Sequence, residues 1–126
     1  MPGEAILIVD DNPANLKLAR VLLAGEGFEI RTAADAREAL SLLEGFRPRL
    51  ILMDLQLPGM DGFELTRQLK SLPAYREVVI LALTAYAMKG DQDRVLAAGC
   101  DGYVTKPIDT RALPGVIDGF MKRCAP

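Results

Sequence analysis

Five polar residues of this chain follow directly after runs of apolar residues. Asp10 and Asp11 follow the first such run, and three later runs are followed by Asp54, Thr84 and Lys106. Several carboxylates brought close together repel one another and are costly unless a cation or a lysine offsets their charge. Oxygen ligands favour a hard ion, and Mg²⁺ fits best because it binds through one or two carboxylates, keeps several waters and bridges to phosphoryl oxygens.

The same residue types also suit the transfer of a phosphoryl group. A metal, a lysine and a hydroxyl around one carboxylate neutralise the charge on the equatorial oxygens and hold the donor in line with the attacking oxygen. Asp54 then serves as the nucleophile and forms an acyl phosphate. Any one of these aspartates is equally typical of a turn or a helix cap, so the interpretation depends on the whole set.

The apolar runs that precede these residues have the length and character of strands. Ala5–Val9, Leu50–Met53 and Val78–Leu83 are continuously apolar, which indicates parallel strands buried on both faces. From Phe28 to Thr32 apolar and charged residues alternate, which predicts a strand with one wetter face near an edge of the sheet. Gly102–Val104 is a shorter candidate for a last strand.

Helical patterns lie between the strands. The first opens with Asn12 as N-cap and Pro13 at the first helical position, and it ends at Gly25 or Gly27. The other predicted helices run from Asp35 to about Glu44, from Gly62 to about Leu72, from near Met88 to Ala98 before Gly99, and from Asp109 or Thr110 to near Arg123. Met88, Leu96 and Met121 are predicted to lie in the core.

This alternation of five strands and five helices predicts an α/β fold, a doubly wound parallel sheet with helices on both faces. The carboxyl ends of parallel strands emerge on one edge, where ligands bind in such sheets. The five polar residues are therefore expected to meet there. We expect residues 1–126 to form a single domain, because no linker or repeat interrupts the pattern.

The composition of the chain argues against several classes of function. The chain has 126 residues, half of them apolar, and a formal net charge of -2, which argues against disorder and against a basic nucleic-acid surface. No apolar run is long enough to cross a bilayer and no secretory signal is evident, so a cytoplasmic location is expected. The absence of histidine excludes histidine metal sites and general bases. Cys100 and Cys124 are read as free thiols.

Four motifs resemble the receiver domain of two-component response regulators over about residues 4–120. They are LIVDDN at Leu7–Asn12, LILMDLQLPGMDG at Leu50–Gly62, LALTA at Leu81–Ala85 and YVTKPI at Tyr103–Ile108. The resemblance implies the flavodoxin-like or CheY-like (βα)5 topology with strand order 2-1-3-4-5. Within the family, the chain is most similar to single-domain regulators of the DivK kind and to receivers attached to hybrid histidine kinases.

The family pattern implies a role for each matching residue. Asp54 becomes the phosphorylation site, and Mg²⁺ or Mn²⁺ is held by the side chains of Asp11 and Asp54, by the backbone carbonyl of Gln56, and by Asp10 through a water. Lys106, the Thr84 hydroxyl and the Ala85 backbone bind the phosphoryl group, and Pro107 resembles the family's cis proline.

The resemblance also implies a switch and a set of partners. Thr84 and Tyr103 match the family's switch pair, in which a new hydrogen bond draws the aromatic ring inward; a tyrosine simply packed on the last helix remains the alternative. Gln56 and Tyr86 occupy positions that tune the lifetime of the acyl phosphate. The partners are a histidine kinase or a histidine phosphotransfer protein and a downstream protein target, with no direct nucleic-acid or membrane partner.

Two other functions are compatible with a sheet of this type. A small magnesium-dependent phosphatase with an aspartyl nucleophile usually has a second acid two residues after the nucleophile, where this chain has Gln56. A flavin-binding domain of flavodoxin topology needs a hydroxyl-rich phosphate loop after the first strand, where Asp10 and Asp11 would repel the phosphate. A reactive thiol at Cys100 is disfavoured because no histidine or helix N-terminus is evident beside it.

Overall fold

The fold is described from a computed structural model, which covers residues 4–55, 62–84, 89–105 and 111–123. The strands are β1 Ala5–Val9, β2 Glu29–Ala33, β3 Leu50–Asp54, β4 Val79–Thr84 and β5 Gly102–Thr105. The helices are α1 Pro13–Ala24, α2 Ala36–Leu43, α3 Gly62–Lys70, α4 Lys89–Ala97 and α5 Leu113–Arg123, and a 3₁₀ turn at Pro73–Tyr75 precedes β4. Strands and helices alternate as the sequence predicts.

The five strands form one parallel sheet in the order β2-β1-β3-β4-β5. This confirms the predicted doubly wound topology, including the edge position of β2. The inner strands β1, β3 and β4 are almost wholly buried, as their unbroken apolar runs require. The edge strands are more open: β2 mixes buried and exposed positions, and β5 alternates between half-buried and exposed ones.

Two hydrophobic layers flank the sheet. One face packs against α2, α3 and α4 through residues such as Ala39, Leu65 and Val95. The other face packs against α1 and α5 through Leu23 and Ile117. Successive side chains of a strand point to opposite faces, so β1 and β3 contribute to both layers, and their polar ends are fixed between two packed cores.

Local signals set several of the helix ends in the described part of the chain. The Asn12 side chain caps α1 by accepting from the Ala14 N–H at 2.9 Å, with Pro13 at the first position. Gly99, which follows α4, has a φ of 105°, a conformation that glycine adopts without strain. Helix α3 ends at Lys70, two residues before the predicted Leu72, because Pro73 forces Leu72 into an extended conformation.

The prediction that Leu96 lies in the core is wrong. Its side chain is 56% exposed, whereas the adjacent Val95 is 1% exposed. The buried face of α4 includes Val95 and continues to Ala98, which lies just past the end of the helix, and a neighbour in sequence is turned about 100° away from that face. Met88 and the side chain of Met121 lie outside the described residues.

The amino ends of β4 and β5 are tied to α3 by a charged side chain. The Lys70 ammonium donates to the carbonyl oxygens of Val78 at 2.6 Å and Arg76 at 3.2 Å, and it lies 3.1 Å from a carboxylate oxygen of Asp101. The same Asp101 oxygen accepts from the Ile80 N–H at 2.8 Å. This network lies at the edge of the sheet opposite Asp54 and fixes α3 against the last two strands.

Candidate functional site at the carboxyl edge of the sheet

The register of β1 and β3 places two aspartates side by side. Val9 pairs with Met53 in the parallel ladder, so the next residues, Asp10 and Asp54, lie at equivalent positions on neighbouring strands. On the other side of β1 the Asp10 N–H donates to the Ala33 carbonyl at 3.0 Å, which continues the ladder one residue past the strand. The sheet itself therefore brings the two carboxylates together.

Asp10, Asp11 and Asp54 form an acidic cluster in which one carboxylate oxygen of each residue lies within 4.8 Å of the others. Asp10 and Asp54 are buried at 0% and 2% exposure, and Asp11 is exposed. Two buried carboxylates beside a third are electrostatically unfavourable without a compensating cation. The cluster is open to solvent on the Asp11 side, and its donors are all oxygens, so these residues fit a magnesium ion that retains several waters.

The N-terminus of α1 holds the Asp10 carboxylate in place. One of its oxygens, Oδ1, accepts from the Asn12 N–H at 2.9 Å, and the other, Oδ2, accepts from the Asn15 side-chain amide at 3.2 Å. Asn15 is not among the site residues predicted from the sequence. The signal that could have found it is its position in the first turn of a helix that starts directly after the aspartate pair.

The main chain after Asp54 is fixed from two sides. The Leu55 N–H donates to the Leu83 carbonyl at 3.3 Å, and the Leu55 carbonyl accepts from the Gly62 N–H at 3.2 Å. Gly62 also packs directly against the Asp54 carbonyl, where a side chain would overlap backbone atoms. Asp54 therefore lies between the end of β4 and the start of α3.

Thr84 and Tyr103 lie on the next two strands of the sheet beyond β3, Thr84 on β4 and Tyr103 on the edge strand β5. Thr84 ends β4 and is 7% exposed, and Asp54 is paired with the preceding residue, Leu83. Tyr103 on β5 is 36% exposed and lines a cavity of about 270 Å³ beside α5, which Val104, Leu113 and Val116 also line. A cavity beside the Tyr103 ring is compatible with movement of the ring, as the predicted switch requires.

Five predicted site residues lie outside the described part of the chain. They are Gln56, Ala85, Tyr86, Lys106 and Pro107. The roles assigned to them by resemblance stay predictions.

Cys100 is a buried structural thiol. It lies at 5% exposure, and its Sγ is 3.9 Å from the hydroxyl oxygen of Thr66. Burial raises the pKa of this thiol, and the nearby Asp101 carboxylate raises it further. A thiol whose ionisation is suppressed is a poor nucleophile, which agrees with the weak case for reactivity made from the sequence.

Comparison with known proteins identifies the family that this fold and site define. The family model for the response regulator receiver domain matches residues 6–118. The chain belongs to that family, and it is a phosphoacceptor signalling domain of the two-component type. This assignment disfavours the small phosphatase considered from the sequence.

Relatives and solved structures agree with the assignment. The chain is 44% identical to the polar-differentiation response regulator DivK of Brucella anthropi, over 94% of this chain and 96% of that protein. The receiver domain of the Pseudomonas aeruginosa sensor histidine kinase PA1611, solved with a magnesium ion in its active-site cleft, is 35% identical with a TM-score of 0.86, over 95% of this chain and 98% of that one. A CheY-like receiver domain from Methanospirillum hungatei is 34% identical with a TM-score of 0.88, over 97% of this chain and 96% of that one.

In the described ranges, none of the helices combines the length and the apolar character that a membrane span requires.

Proposed function

We propose that Asp54 is the residue that accepts the phosphoryl group. The observation that carries this proposal is the acidic cluster, in which oxygens of Asp10, Asp11 and Asp54 lie within 4.8 Å at the carboxyl edge of a receiver-type sheet. Asp54 is the member of the cluster that lies on β3, between the ends of β1 and β4. It is therefore the carboxylate around which ligands from both neighbouring strands converge.

The cluster is proposed to hold Mg²⁺, or Mn²⁺ in its place. Asp11 and Asp54 would provide side-chain oxygens, Gln56 would provide its backbone carbonyl, and Asp10 would hold a water bound to the metal. When bound, the cation would neutralise charge on the phosphoryl oxygens and lower the repulsion between an anionic donor and the carboxylates. Support comes from the all-oxygen donor set and from the magnesium ion in the related receiver domain of PA1611.

The transfer step is a displacement at phosphorus. A carboxylate oxygen of Asp54 attacks the phosphorus of a phosphohistidine, the P–O bond forms while the P–N bond breaks, and the imidazole nitrogen that leaves takes up a proton. Lys106, the Thr84 hydroxyl and the Ala85 N–H bind the phosphoryl oxygens as the product forms. The donor is a histidine kinase or a histidine phosphotransfer protein, since this chain has no histidine of its own.

Phosphorylation is proposed to change the surface formed by α4, β5 and α5. The Thr84 hydroxyl bonds to the new phosphoryl group, and Tyr103 moves inward toward the space that this frees. The cavity of about 270 Å³ at Tyr103 supports this step. A downstream protein target then reads the altered surface.

The proposed unit is a single receiver domain over residues 1–126, which acts as a phosphoacceptor and not as an enzyme for free substrates. It would phosphorylate itself from small donors and lose the group slowly. Gln56 and Tyr86 are proposed to set the lifetime of the acyl phosphate, with Tyr86 screening it from water. If the acyl phosphate decays at the same rate in wild type and in Tyr86→Ala, Tyr86 does not screen it from water.

The test of the proposed function is phosphorylation by acetyl phosphate in the presence of Mg²⁺, followed by intact-mass measurement. The wild type is expected to gain the mass of one phosphoryl group, and Asp54→Asn is expected to gain none. Omitting Mg²⁺ is expected to suppress the adduct. An adduct of equal yield on Asp54→Asn, or hydrolysis of phosphate esters without any adduct, would overturn the proposal.

A further inference from the structure

Asp10 is a fully buried carboxylate whose two oxygens are both engaged by α1. Its Oδ1 accepts from the Asn12 N–H at 2.9 Å, and its Oδ2 accepts from the Asn15 side-chain amide at 3.2 Å. A carboxylate held at both oxygens has little freedom to rotate about its side-chain torsions. The orientation of Asp10 therefore depends on the residue at position 15.

The start of α1 has an ordinary N-cap but lacks the reciprocal bond of a capping box, which frees Asn15. In a capping box, the side chain of the third helical residue reaches back to the N–H of the N-cap residue. Here Asn15 is that third residue and Asn12 is the N-cap, but the Asn12 N–H already donates to Asp10. The Asn15 amide is not needed at the cap, and it donates to Asp10 instead.

The residue type at position 15 is restricted by the charge of Asp10. An amide offers an N–H donor without adding negative charge. A carboxylate of the same size would place a further anion against the acidic cluster, and leucine, which is similar in volume, has no donor. Asparagine is thus suited to stabilising a buried carboxylate that itself faces a cation site.

We infer that Asn15 is a positioning residue for the metal site, an inference that rests on the proposed function. Its amide holds Asp10 back from direct contact with the cation, so that Asp10 binds through water. This arrangement favours Mg²⁺, which retains several waters, over Ca²⁺, which takes more protein oxygens directly at longer distances. Asn15 therefore sets both the affinity and the selectivity of the site without being one of its metal ligands.

The test compares Asn15→Leu and Asn15→Asp with wild type by calorimetric titration of Mg²⁺ and Ca²⁺ and by thermal unfolding in EDTA. Gln68→Leu is the matched control, because it also converts an amide to leucine on a helix but at an exposed position on α3. Asn15→Leu is expected to bind Mg²⁺ about tenfold more weakly, because substituting a residue that hydrogen-bonds to a metal ligand usually lowers metal affinity by at least this factor. Gln68→Leu is expected to match wild type.

The preference of the site for Mg²⁺ over Ca²⁺ distinguishes a positioning role of Asn15 from a merely structural one. In Asn15→Asp, Asp10 loses the amide donor at Oδ2 and a new carboxylate is added, so the ratio of Ca²⁺ to Mg²⁺ affinity is expected to rise about tenfold or more. Both variants are expected to have a lower midpoint of unfolding in EDTA. Asn15→Asp keeps the size of the side chain, so it still tests the positioning role of Asn15 if Asn15→Leu does not fold.

The outcomes distinguish this inference from the function on which it rests. If wild type binds Mg²⁺ and both Asn15 variants retain its Mg²⁺ affinity and its ion preference, the positioning role is overturned and the proposed function stands. If wild type binds no Mg²⁺, the metal site of the proposed function fails, and the inference fails with it.

Discussion

The α-carbon of Gly62 lies directly against the main-chain carbonyl of Asp54. A side-chain carbon at position 62 would overlap the Asp54 carbonyl oxygen and would lie 2.7 Å from the Leu55 α-carbon. Both neighbours are backbone atoms, which cannot move aside as the end of a flexible side chain can. The first residue of α3 is therefore packed against the peptide that carries the proposed phosphorylation site.

Gly62→Ala is expected to destabilise the protein and to slow phosphorylation. Overpacking against backbone costs about 1–3 kcal/mol, and the shift needed to relieve it displaces Asp54. Urea unfolding measures the first effect, and the initial rate of adduct formation with acetyl phosphate measures the second.

Gly119→Ala is the control for that experiment. It lies in α5 at an exposed position, where an added carbon meets nothing within 4 Å. Alanine is the better helix former, so a gain of up to about 1 kcal/mol is expected with no change in rate. A Gly62→Ala protein with wild-type stability and rate would contradict the packing argument.

Asp11→Asn is expected to raise stability in the absence of metal. It removes one of three carboxylates whose oxygens lie within 4.8 Å of one another, and relief of that repulsion is worth about 1 kcal/mol, or roughly 4 °C in the unfolding midpoint. The variant is also expected to lose the stabilisation that Mg²⁺ gives to wild type. Calorimetric unfolding in EDTA and in excess Mg²⁺ measures both effects, and a lower midpoint in EDTA would contradict the repulsion.

Lys70→Met is expected to reduce stability without affecting phosphorylation. The Lys70 ammonium bonds to Val78, Arg76 and Asp101 at the far edge of the sheet. Its loss removes one donor from each of these acceptors, although Asp101 keeps the Ile80 N–H, at an expected cost of about 1–3 kcal/mol. Lys17→Met, an exposed lysine on α1, is the control. Equal unfolding midpoints for the two variants, or a slower phosphorylation rate in Lys70→Met, would count against this division of roles.

Cys100 is expected to make stability depend on pH in the alkaline range. Burial raises the pKa of the folded thiol, so the unfolded state loses its proton first. The resulting stability is fully present below the unfolded pKa of about 8.5 and is lost as pH rises through the folded pKa. Two proteins are compared in a Cys124→Ser background, one that keeps Cys100 and one that carries Cys100→Ala. The free energy of unfolding is expected to fall more steeply above about pH 8.5 in the protein that keeps Cys100. Parallel pH profiles from urea unfolding would contradict this.

The sequence predicts the sheet well because its inner strands are buried on both faces. Such strands require unbroken apolar runs, and Leu50–Asp54 and Val79–Thr84 follow within one residue of the predicted bounds. Once parallel strands are predicted, the meeting of Asp10 and Asp54 follows from topology and register alone. The acidic cluster was thus predictable without any knowledge of side-chain conformations.

What the sequence did not predict depends on side-chain geometry. The Asn15 bond to Asp10 depends on the orientation of an amide side chain in the first turn of α1. The Lys70 bond to Asp101 joins residues 31 positions apart and has no local signal. Leu96 was wrongly predicted to be buried because apolar spacing alone does not say which of two adjacent positions faces the sheet. The residue that faces the sheet is Val95. Predicting these features requires the angle at which each helix packs against the sheet.

The most direct measurement of the central claim is a titration of Mg²⁺ followed by amide chemical shifts in two-dimensional NMR. The account predicts saturable changes at Asp10, Asp11, Asp54 and Leu55, on the edge where the acidic cluster lies. It predicts no change at Ile80 and Asp101, on the opposite edge. A spectrum in which the acidic edge does not respond, or in which both edges respond equally, would contradict the claim that a divalent cation compensates these three carboxylates.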